Sequence, residues 1–85
     1  MYYVYILKSI KDNTHYIGFT NNLINRLKLH NKKKVLSTKL KTPYKIVYYE
    51  AYASRDEAKL REHNLKLRAQ ALNALKRRIK KSLEA

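Results

Sequence analysis

Two short segments near the start of the chain combine β-branched and aromatic residues in the pattern of β-strands. The first spans residues 2–10 (YYVYILKSI) and the second spans residues 15–19 (HYIGF). The four residues between them, KDNT, are of types that favour turns. The two segments therefore predict a hairpin, and because strand side chains alternate between faces, Tyr5 and Tyr16 are expected on the same side.

The pairing of the hairpin depends on where its loop begins. If residues 11–14 form the loop, paired positions add to 25, so that Tyr5 pairs with Thr20 and Tyr16 pairs with Ser9. A shift of two residues would bring the two tyrosines closer together without changing their face. The sequence alone leaves the register open.

A helix is predicted from Asn22 to about His30, because apolar residues recur at helical spacing after a residue suited to an N-cap. Arg26 and His30 are four residues apart, so both side chains lie on one face of this helix, beside its apolar stripe. The polar and basic stretch that follows, residues 31–42, is predicted to be a loop.

The second half of the chain predicts one strand and two helices. Residues 44–52 (YKIVYYEAY) are typical of a strand. Ser54 and Glu57 match a capping box, which starts a helix that runs to about Leu67. The apolar residues after it again recur at helical spacing, and they predict a final basic amphipathic helix after a break near residues 68–70.

The resulting order, β-β-α-β-α-α, indicates an α+β fold. We expect a small three-stranded antiparallel sheet flanked by helices, built as a single domain over residues 1–85. Tyr48, Tyr49 and Tyr52 are expected to pack within this fold rather than to stack on bases.

The charge balance points to a polyanionic partner. Twenty Lys and Arg residues face six Asp and Glu residues, which gives a formal net charge of +14. Nucleic acid is the usual partner of a compact domain with such an excess, and an anionic membrane surface is the alternative. No apolar stretch approaches the roughly 20 residues of a membrane span, so we expect no membrane-spanning segment. We expect nucleic acid rather than a membrane as the partner, and a membrane-surface role for the basic last helix is the remaining alternative. The absence of cysteine is compatible with a reducing compartment, and we expect the cytoplasm.

The residue inventory excludes several kinds of hydrolytic site. Without cysteine there is no thiol nucleophile, and with one glycine there is no phosphate-binding P-loop. The acids do not cluster as in a carboxylate-rich two-metal nuclease. The chain has three histidines, His15, His30 and His63, and no two of them have the spacing of a zinc site. An enzyme built from this chain must therefore use Tyr, His, Arg and at most one isolated Glu.

One of the six acids lacks an obvious structural reason. Four belong to the hairpin turn, the first turn of a helix or the C-terminus: Asp12, Asp56, Glu57 and Glu84. Glu50 lies in the third strand and is expected on its solvated face. Glu62 lies in the middle of a helix. It is either an ordinary helix residue paired with Lys66, four residues on, or a ligand for a hard cation such as Mg²⁺.

The order and spacing of several Tyr, Gly, Arg, His and Glu residues in this chain resemble the motifs of the GIY-YIG nuclease superfamily. Its first motif, Gly-Ile-Tyr, is similar to Tyr3-Val4-Tyr5, which keeps the Tyr and lacks the Gly. Its second motif is intact as Tyr16-Ile17-Gly18. The helix Arg of the family, its His or Tyr one turn later, and its metal-binding Glu are matched by Arg26, His30 and Glu62.

The resemblance covers essentially the whole chain and is greatest to short stand-alone bacterial members similar to the nuclease domain of the excinuclease C subunit. It implies metal-dependent hydrolysis of phosphodiester bonds in DNA, with Glu62 holding Mg²⁺ or Mn²⁺. Tyr5 would activate the water, as a phenolate or with its proton relayed through His30. Tyr16 would position water or phosphate, and Arg26 would neutralise the phosphate oxygens.

Two further family features bear on the site. Gly18 would serve close approach of the backbone rather than chemistry. Several active members carry an Asn after the metal-binding Glu, for which Asn73 is the candidate here.

Two basic segments are expected to contact phosphates. They comprise Lys32, Lys33, Lys34, Lys39 and Lys41 after the first helix, and Lys76, Arg77 and Arg78 on the last helix. Such contacts position a nucleic acid without specifying its sequence, so we expect cleavage directed by DNA structure. RNA is not excluded, and a protein partner is a further source of specificity.

Two other functions remain open. The chain could be a non-catalytic basic nucleic-acid-binding domain that retains the nuclease fold, or a structural component of a ribonucleoprotein. A pure binding protein needs only the lysines, so the intact Tyr16-Ile17-Gly18 motif, Arg26 and Glu62 favour the nuclease.

Overall fold

Three strands form one antiparallel sheet, with helices packed on it, in the computed structural model, which describes all 85 residues, Met1–Ala85. The elements are β1 (Tyr2–Ser9), β2 (His15–Thr20), α1 (Leu23–Asn31), a short 3₁₀ helix (Lys39–Lys41), β3 (Tyr44–Tyr52), α2 (Arg55–Leu67), α3 (Ala69–Arg78) and α4 (Lys80–Glu84). The strand order is β2-β1-β3. The predicted α+β fold with a three-stranded antiparallel sheet is therefore confirmed.

The central strand, β1, is buried on both of its faces. Val4 and Ile6 pack on one face against a cluster contributed mainly by the helices: Ala58, Leu65, Leu75 and Ile79. Tyr5 and Leu7 pack on the opposite face with Tyr44, and the apolar stripe of α1 lies against them. Because successive strand residues point in opposite directions, the hydroxyl of Tyr5 is carried into the interior on the face that α1 covers.

The hairpin register differs by two residues from the first register considered. Tyr5 pairs with Gly18, not with Thr20, and Tyr16 pairs with Leu7, not with Ser9. The cause is Ser9, whose hydroxyl accepts hydrogen bonds from the backbone N–H groups of Lys11 and Asp12 at 3.2 and 3.3 Å. The turn therefore starts one residue earlier than predicted. Tyr5 and Tyr16 lie on one face, with ring centroids 6.5 Å apart.

The first helix is held at both ends by asparagine side chains. The side-chain oxygen of Asn22 accepts the backbone N–H of Asn25 at 3.0 Å, which caps the N-terminus as predicted. At the other end, the amide of Asn31 donates to the carbonyl of Tyr44 at 3.0 Å and accepts its N–H at 2.7 Å. The predicted loop after α1 is thus closed at its base, and β3 begins where α1 ends.

The end of the chain forms two helices where one was predicted. The predicted helix to Leu67 and the break beside Arg68 are confirmed, but a second break falls at Ile79. Apolar residues spaced by four drift by about 40° per step around an ideal helix. The bend at Ile79 lets both Ile79 and Leu83 reach the same core cluster as Leu75.

Glu50 does not lie on a solvated face, as was predicted. It is opposite Val4 in the β1–β3 register and therefore points toward the helices. Arg61 of α2 donates from Nε at 2.9 Å and from Nη2 at 3.0 Å to the two carboxylate oxygens. Tyr48 and Tyr52 donate their hydroxyls to the same carboxylate at 2.7 and 2.6 Å. This cluster fixes α2 to β3 beside Glu62.

The three tyrosines of β3 have different environments. Tyr48 and Tyr52 are partly buried and pack against the helix-side core, as predicted. Tyr49 points to the other face, and 54% of it is exposed to solvent, so a role in packing describes it only in part.

None of the helices combines the length and the apolar character that crossing a membrane requires.

We expect Glu50→Gln to destabilise the fold by about 1–3 kcal/mol at neutral pH, because it removes the charge that accepts these hydrogen bonds. Burial raises the pKa of Glu50, but the hydrogen bonds from Arg61, Tyr52 and Tyr48 outweigh it and hold the pKa below 4.5. A group with a depressed folded pKa stabilises above its unfolded pKa and loses that contribution as pH falls through the folded value.

Urea unfolding of the wild type and of Glu50→Gln at pH 7 and pH 3 measures this effect. The difference between the two proteins should shrink at the lower pH. The exposed Glu84→Gln serves as a control with the same chemical change, and it should alter stability by less than about 0.5 kcal/mol. An equal difference at both pH values would show that the charge of Glu50 does not stabilise the fold.

Candidate active site

The hydroxyl end of the Tyr5 ring lies close to Gly18, its partner on the neighbouring strand. A Cβ atom added to Gly18 would overlap the Cζ and hydroxyl oxygen of Tyr5. The backbone at Gly18 has no positive φ angle, so the requirement is for space rather than for an unusual conformation. The glycine expected to permit close approach therefore makes room for the ring of Tyr5.

His30 lies at the centre of the cluster on the α1 side of the sheet, and it is fully buried, with 0% of its surface exposed. Its Nε2 lies 2.9 Å from the hydroxyl of Tyr5. Its Nδ1 lies 2.7 Å from the hydroxyl of Thr38, which is itself buried. The rings of Tyr16 and Tyr44 stand 5.1 and 6.1 Å from the imidazole. His30 thus joins α1, β1 and the basic loop at one point.

Which group donates in each hydrogen bond of the His30 ring follows from the protons that Tyr5, His30 and Thr38 carry. The hydroxyl of Tyr5 is buried, and its hydrogen-bond partner is Nε2 of His30, so Tyr5 donates and Nε2 accepts. A neutral imidazole that accepts at Nε2 carries its proton on Nδ1, which then donates to Thr38. The hydroxyl of Thr38 donates in turn to the carbonyl of Val35 at 3.4 Å. The reverse assignment would leave the buried Tyr5 proton without an acceptor.

Electrostatics keep both Tyr5 and His30 uncharged near neutral pH. Burial, followed by the positive charge of Arg26, lowers the pKa of His30 to about 4. Burial also raises the pKa of Tyr5, and Tyr16 and Glu62 raise it further, whereas Arg26 lowers it. The free protein therefore holds a phenol that donates to a neutral imidazole.

Arg26 brings positive charge to this site. Its guanidinium lies near enough to Tyr5 to lower the pKa of that hydroxyl by hydrogen bonding and by charge. Its Nε–H is buried and has no hydrogen-bond partner. A buried charged donor without an acceptor is costly, and a phosphate oxygen is the kind of group that satisfies it.

Glu62 approaches the cluster from α2. Its carboxylate is paired with Lys66 at 3.2 Å and with Lys59 at 3.9 Å, so the ordinary helix pairing considered from the sequence does form. The ammonium of Lys66 lies 5.7 Å from the centre of the Tyr16 ring. Glu62 is thus within electrostatic reach of the tyrosines, although it makes no hydrogen bond to either.

Comparison with known proteins gives a family. A family model described as the GIY-YIG catalytic domain matches residues 1–77. This chain belongs to the GIY-YIG family. A UPF0213 protein from Clostridium perfringens is 45% identical over 67 residues, which cover 78% of this chain and 71% of that protein. A UPF0213 protein from Staphylococcus haemolyticus is 42% identical over 66 residues, covering 76% and 79%.

A third relative extends the match. A UPF0213 protein from Pediococcus pentosaceus is 37% identical over 71 residues, which cover 82% of this chain and 74% of that protein. No solved structure matches the chain. Membership places the chain in the GIY-YIG nuclease superfamily.

The predicted phosphate-contact residues of this GIY-YIG chain divide into two surfaces. The eight basic side chains are all exposed: Lys32, Lys33, Lys34, Lys39, Lys41, Lys76, Arg77 and Arg78. Those of the loop are tied to the site, because Thr38 lies among them and bonds to His30. The basic residues of α3 lie on the helix side of the sheet, away from Tyr5 and Tyr16. Asn73, also on α3, is exposed and makes no hydrogen bond to the site.

Two contacts, one within the site and one on the helix side of the sheet, were absent from the sequence prediction. Thr38 is an isolated threonine in a basic loop, and its role depends on how the loop folds back over α1. The pairing of Arg61 with Glu50 depends on helix packing. In the sequence, Arg61 is marked only by its position next to Glu62 on an amphipathic helix, which does not identify Glu50 as its partner.

We expect Gly18→Ala to destabilise the protein by about 1–3 kcal/mol, because the added methyl displaces the ring of Tyr5. Glycine-to-alanine changes in strands ordinarily stabilise by about 0.5–1 kcal/mol, so the sign of the effect is diagnostic. Chemical unfolding of the single variants and of Gly18→Ala with Tyr5→Ala tests it. With the ring removed, Gly18→Ala should be neutral or stabilising, and the same loss in both backgrounds would contradict this contact.

We expect Thr38→Val to weaken the preference of His30 for the Nδ1–H tautomer, because Nδ1–H loses its acceptor and only the hydroxyl of Tyr5, which donates to Nε2, still favours that tautomer. Nitrogen chemical shifts from NMR distinguish protonated from unprotonated ring nitrogens and should show the proton on Nδ1 in the wild type. Thr38→Ser should retain that state, whereas Thr38→Val should shift it toward Nε2–H. The exposed His15 and His63 are internal references. A wild-type proton on Nε2 would overturn the assignment.

Proposed function

We propose that this GIY-YIG protein is a metal-dependent endonuclease that hydrolyses phosphodiester bonds in DNA. The observation that carries the proposal is the buried, unpartnered Nε–H of Arg26 beside the hydroxyl of Tyr5. A charged donor next to a potential proton acceptor is the arrangement that phosphodiester hydrolysis needs, since one group stabilises the phosphate and the other handles the proton of water.

Substrate binding would begin with charge. The net charge of +14 attracts a polyanion, and the exposed lysines of the basic loop lie on the segment that Thr38 ties to the site. Arg26 would then contact the non-bridging oxygens of the phosphate, for which the guanidinium has suitable geometry. Contacts of this kind do not distinguish bases, which supports a choice of substrate by structure.

The donor set fits a particular kind of metal site. No three His, Cys, Asp or Glu side chains come together as a metal-binding group. Glu62 offers a single carboxylate, which suits Mg²⁺ or Mn²⁺ because Mg²⁺ often takes one or two protein carboxylates and completes its shell with water and substrate phosphate. When bound there, the cation would supply positive charge that stabilises the leaving oxygen and favours ionisation of a nearby phenol.

The chain's own residues would move the proton. His30 is neutral and already accepts a hydrogen bond from Tyr5, so it can take the tyrosine proton while Tyr5 takes one from the attacking water. In the free protein this transfer is strongly uphill, because burial raises the pKa of Tyr5 above its ordinary value and lowers that of His30 to about 4. Arg26 offsets part of that cost, and Tyr16, beside His30, would orient the water or the phosphate.

The proposal extends to the domain organisation, location and partners of the protein. Residues 1–85 would act as one nuclease domain in the cytoplasm, with DNA as the substrate and RNA as the alternative. A protein partner would supply specificity that the basic surfaces lack.

A second function is favoured by one observation. Glu62 is held by Lys66 and Lys59, and these lysines compete with any cation for its carboxylate. The alternative is therefore a nucleic-acid-binding domain that keeps the nuclease fold without cleavage. Such a protein would bind DNA with a steep salt dependence and would not cleave it with Mg²⁺ or Mn²⁺.

Cleavage assays on supercoiled plasmid and on branched DNA, with Mg²⁺ or Mn²⁺, test the proposal. We expect Arg26→Ala to lower the cleavage rate about 10²–10³-fold through lost charge stabilisation. Tyr5→Phe should lower it about 10²–10⁴-fold through lost proton transfer. Glu62→Gln should abolish metal-dependent cleavage while DNA binding persists.

Matched controls separate chemistry from folding. Tyr2→Phe makes the same chemical change as Tyr5→Phe on the opposite face of β1, and Glu84→Gln matches Glu62→Gln at an exposed position. Both controls should cleave like the wild type, and circular dichroism should show all variants folded. Equal nicking by the wild type, Arg26→Ala and Glu62→Gln would refute the catalytic proposal.

A further inference from the structure

An open cleft lies next to the tyrosine cluster, on the same face of the sheet. Its volume is about 450 Å³, within the range of about 300–1,000 Å³ typical of sites for small organic ligands. Residues from β1, the start of α1 and β3 line it: Tyr3, Asn21, Asn22, Leu23, Ile24, Ile46 and Tyr49. Nothing in the proposed chemistry uses these side chains.

The cleft is continuous with the candidate active site. Tyr49 is the β3 partner of Tyr5, so the two side chains stand side by side on one face. Tyr3 lies two residues before Tyr5 on the same strand and therefore also shares its face. Along α1, Arg26 follows Asn22 by one turn, so a nucleotide whose phosphate contacts Arg26 can place its base toward the cleft.

The chemistry of the cleft is aromatic and uncharged. The rings of Tyr3 and Tyr49 meet edge to face, with centroids 5.8 Å apart and an interplanar angle of 70°. Tyr49 is 54% exposed and Ile24 is 63% exposed, so the aromatic ring and an aliphatic side chain beside it both face solvent. None of the lining residues is charged, although the chain as a whole carries +14. The occupant should thus be a flat, neutral group carried by a polyanion.

A nucleobase is such a group. Aromatic side chains stack on bases of any identity, and polar amides beside them can bond to the edge of a base. Asn21 supplies such an amide, whereas the oxygen of Asn22 is already engaged in capping α1. Only a base that is not paired within a duplex exposes its ring face for stacking.

We infer that this cleft binds an unpaired nucleobase of the substrate by stacking on Tyr49, and that it selects DNA with a bulged, flapped or single-stranded nucleotide beside the cleaved bond. The inference rests on the proposed function in taking nucleic acid as the partner. It goes further in naming the structural feature of DNA that is recognised and the residues that recognise it.

Binding measurements in the absence of divalent metal test this without any need for cleavage. The probes are a duplex that carries one unpaired 2-aminopurine and a fully paired duplex of the same length. Stacking on Tyr49 should quench the 2-aminopurine fluorescence, and the wild type should bind the bulged duplex more tightly. Tyr49→Leu should weaken binding to the bulged duplex about tenfold and leave binding to the paired duplex unchanged.

Tyr49→Phe is the matched variant, because it keeps the ring and should behave like the wild type. Equal losses on both duplexes for Tyr49→Leu, or no loss on either, would overturn the inference. Sedimentation tests the other occupant, a second copy of this chain. A wild-type dimer that Tyr49→Leu converts to a monomer would also overturn it.

The outcome for the cleft is separable from that for catalysis. Binding of the unpaired base that depends on Tyr49, together with no cleavage, would support the cleft and refute the nuclease. Cleavage with no effect of Tyr49→Leu on preference between the duplexes would support the nuclease and refute the cleft.

Discussion

The burial of one phenol hydroxyl determines much of this structure. β1 is covered on both faces, so Tyr5 cannot turn its hydroxyl toward water and must find a partner inside the protein. His30 provides that partner, at 2.9 Å and with no exposure of its own. The buried imidazole then needs a second partner, which Thr38 supplies from the loop. One buried hydroxyl thus fixes the position of α1, the tautomer of its histidine and the fold of the basic loop.

The same burial sets the electrostatic state of the site. It lowers the pKa of His30 and raises that of Tyr5, so neither residue carries charge near neutral pH. The charged groups proposed for the site are Arg26, whose Nε–H lacks a partner, and Glu62 in the middle of α2, whose partner Lys66 lies over the ring of Tyr16. Because donors in a preorganised site need not reorient when charge develops, a neutral interior with one fixed guanidinium supports the proposed hydrolysis of a phosphodiester.

The sequence predicted those parts of the site that depend on local periodicity. Strand alternation placed Tyr5 and Tyr16 on one face, and helical spacing placed Arg26 and His30 on another, without tertiary information. The sequence left the hairpin register open, because the register depends on the hydroxyl of Ser9, which starts the turn one residue earlier than the first register assumed. The roles of Thr38 and Glu50 depend on contacts across 8 and 11 residues, and no pattern within a strand or a helix encodes such contacts.

Two carboxylates, Glu50 and Glu62, differ in how firmly their partners hold them, and the difference bears on the proposed metal site. Glu50 and Glu62 are similarly buried, with side chains 16% and 15% exposed. Glu50 receives the fork of Arg61 and two tyrosine hydroxyls, and moving it would leave several buried donors unsatisfied. The partners of Glu62 are lysine ammonium groups on stems 43–48% exposed, which can return to water at little cost. Exchange of these partners for a cation is therefore open to Glu62 and closed to Glu50, although both acids lie within the same basic chain.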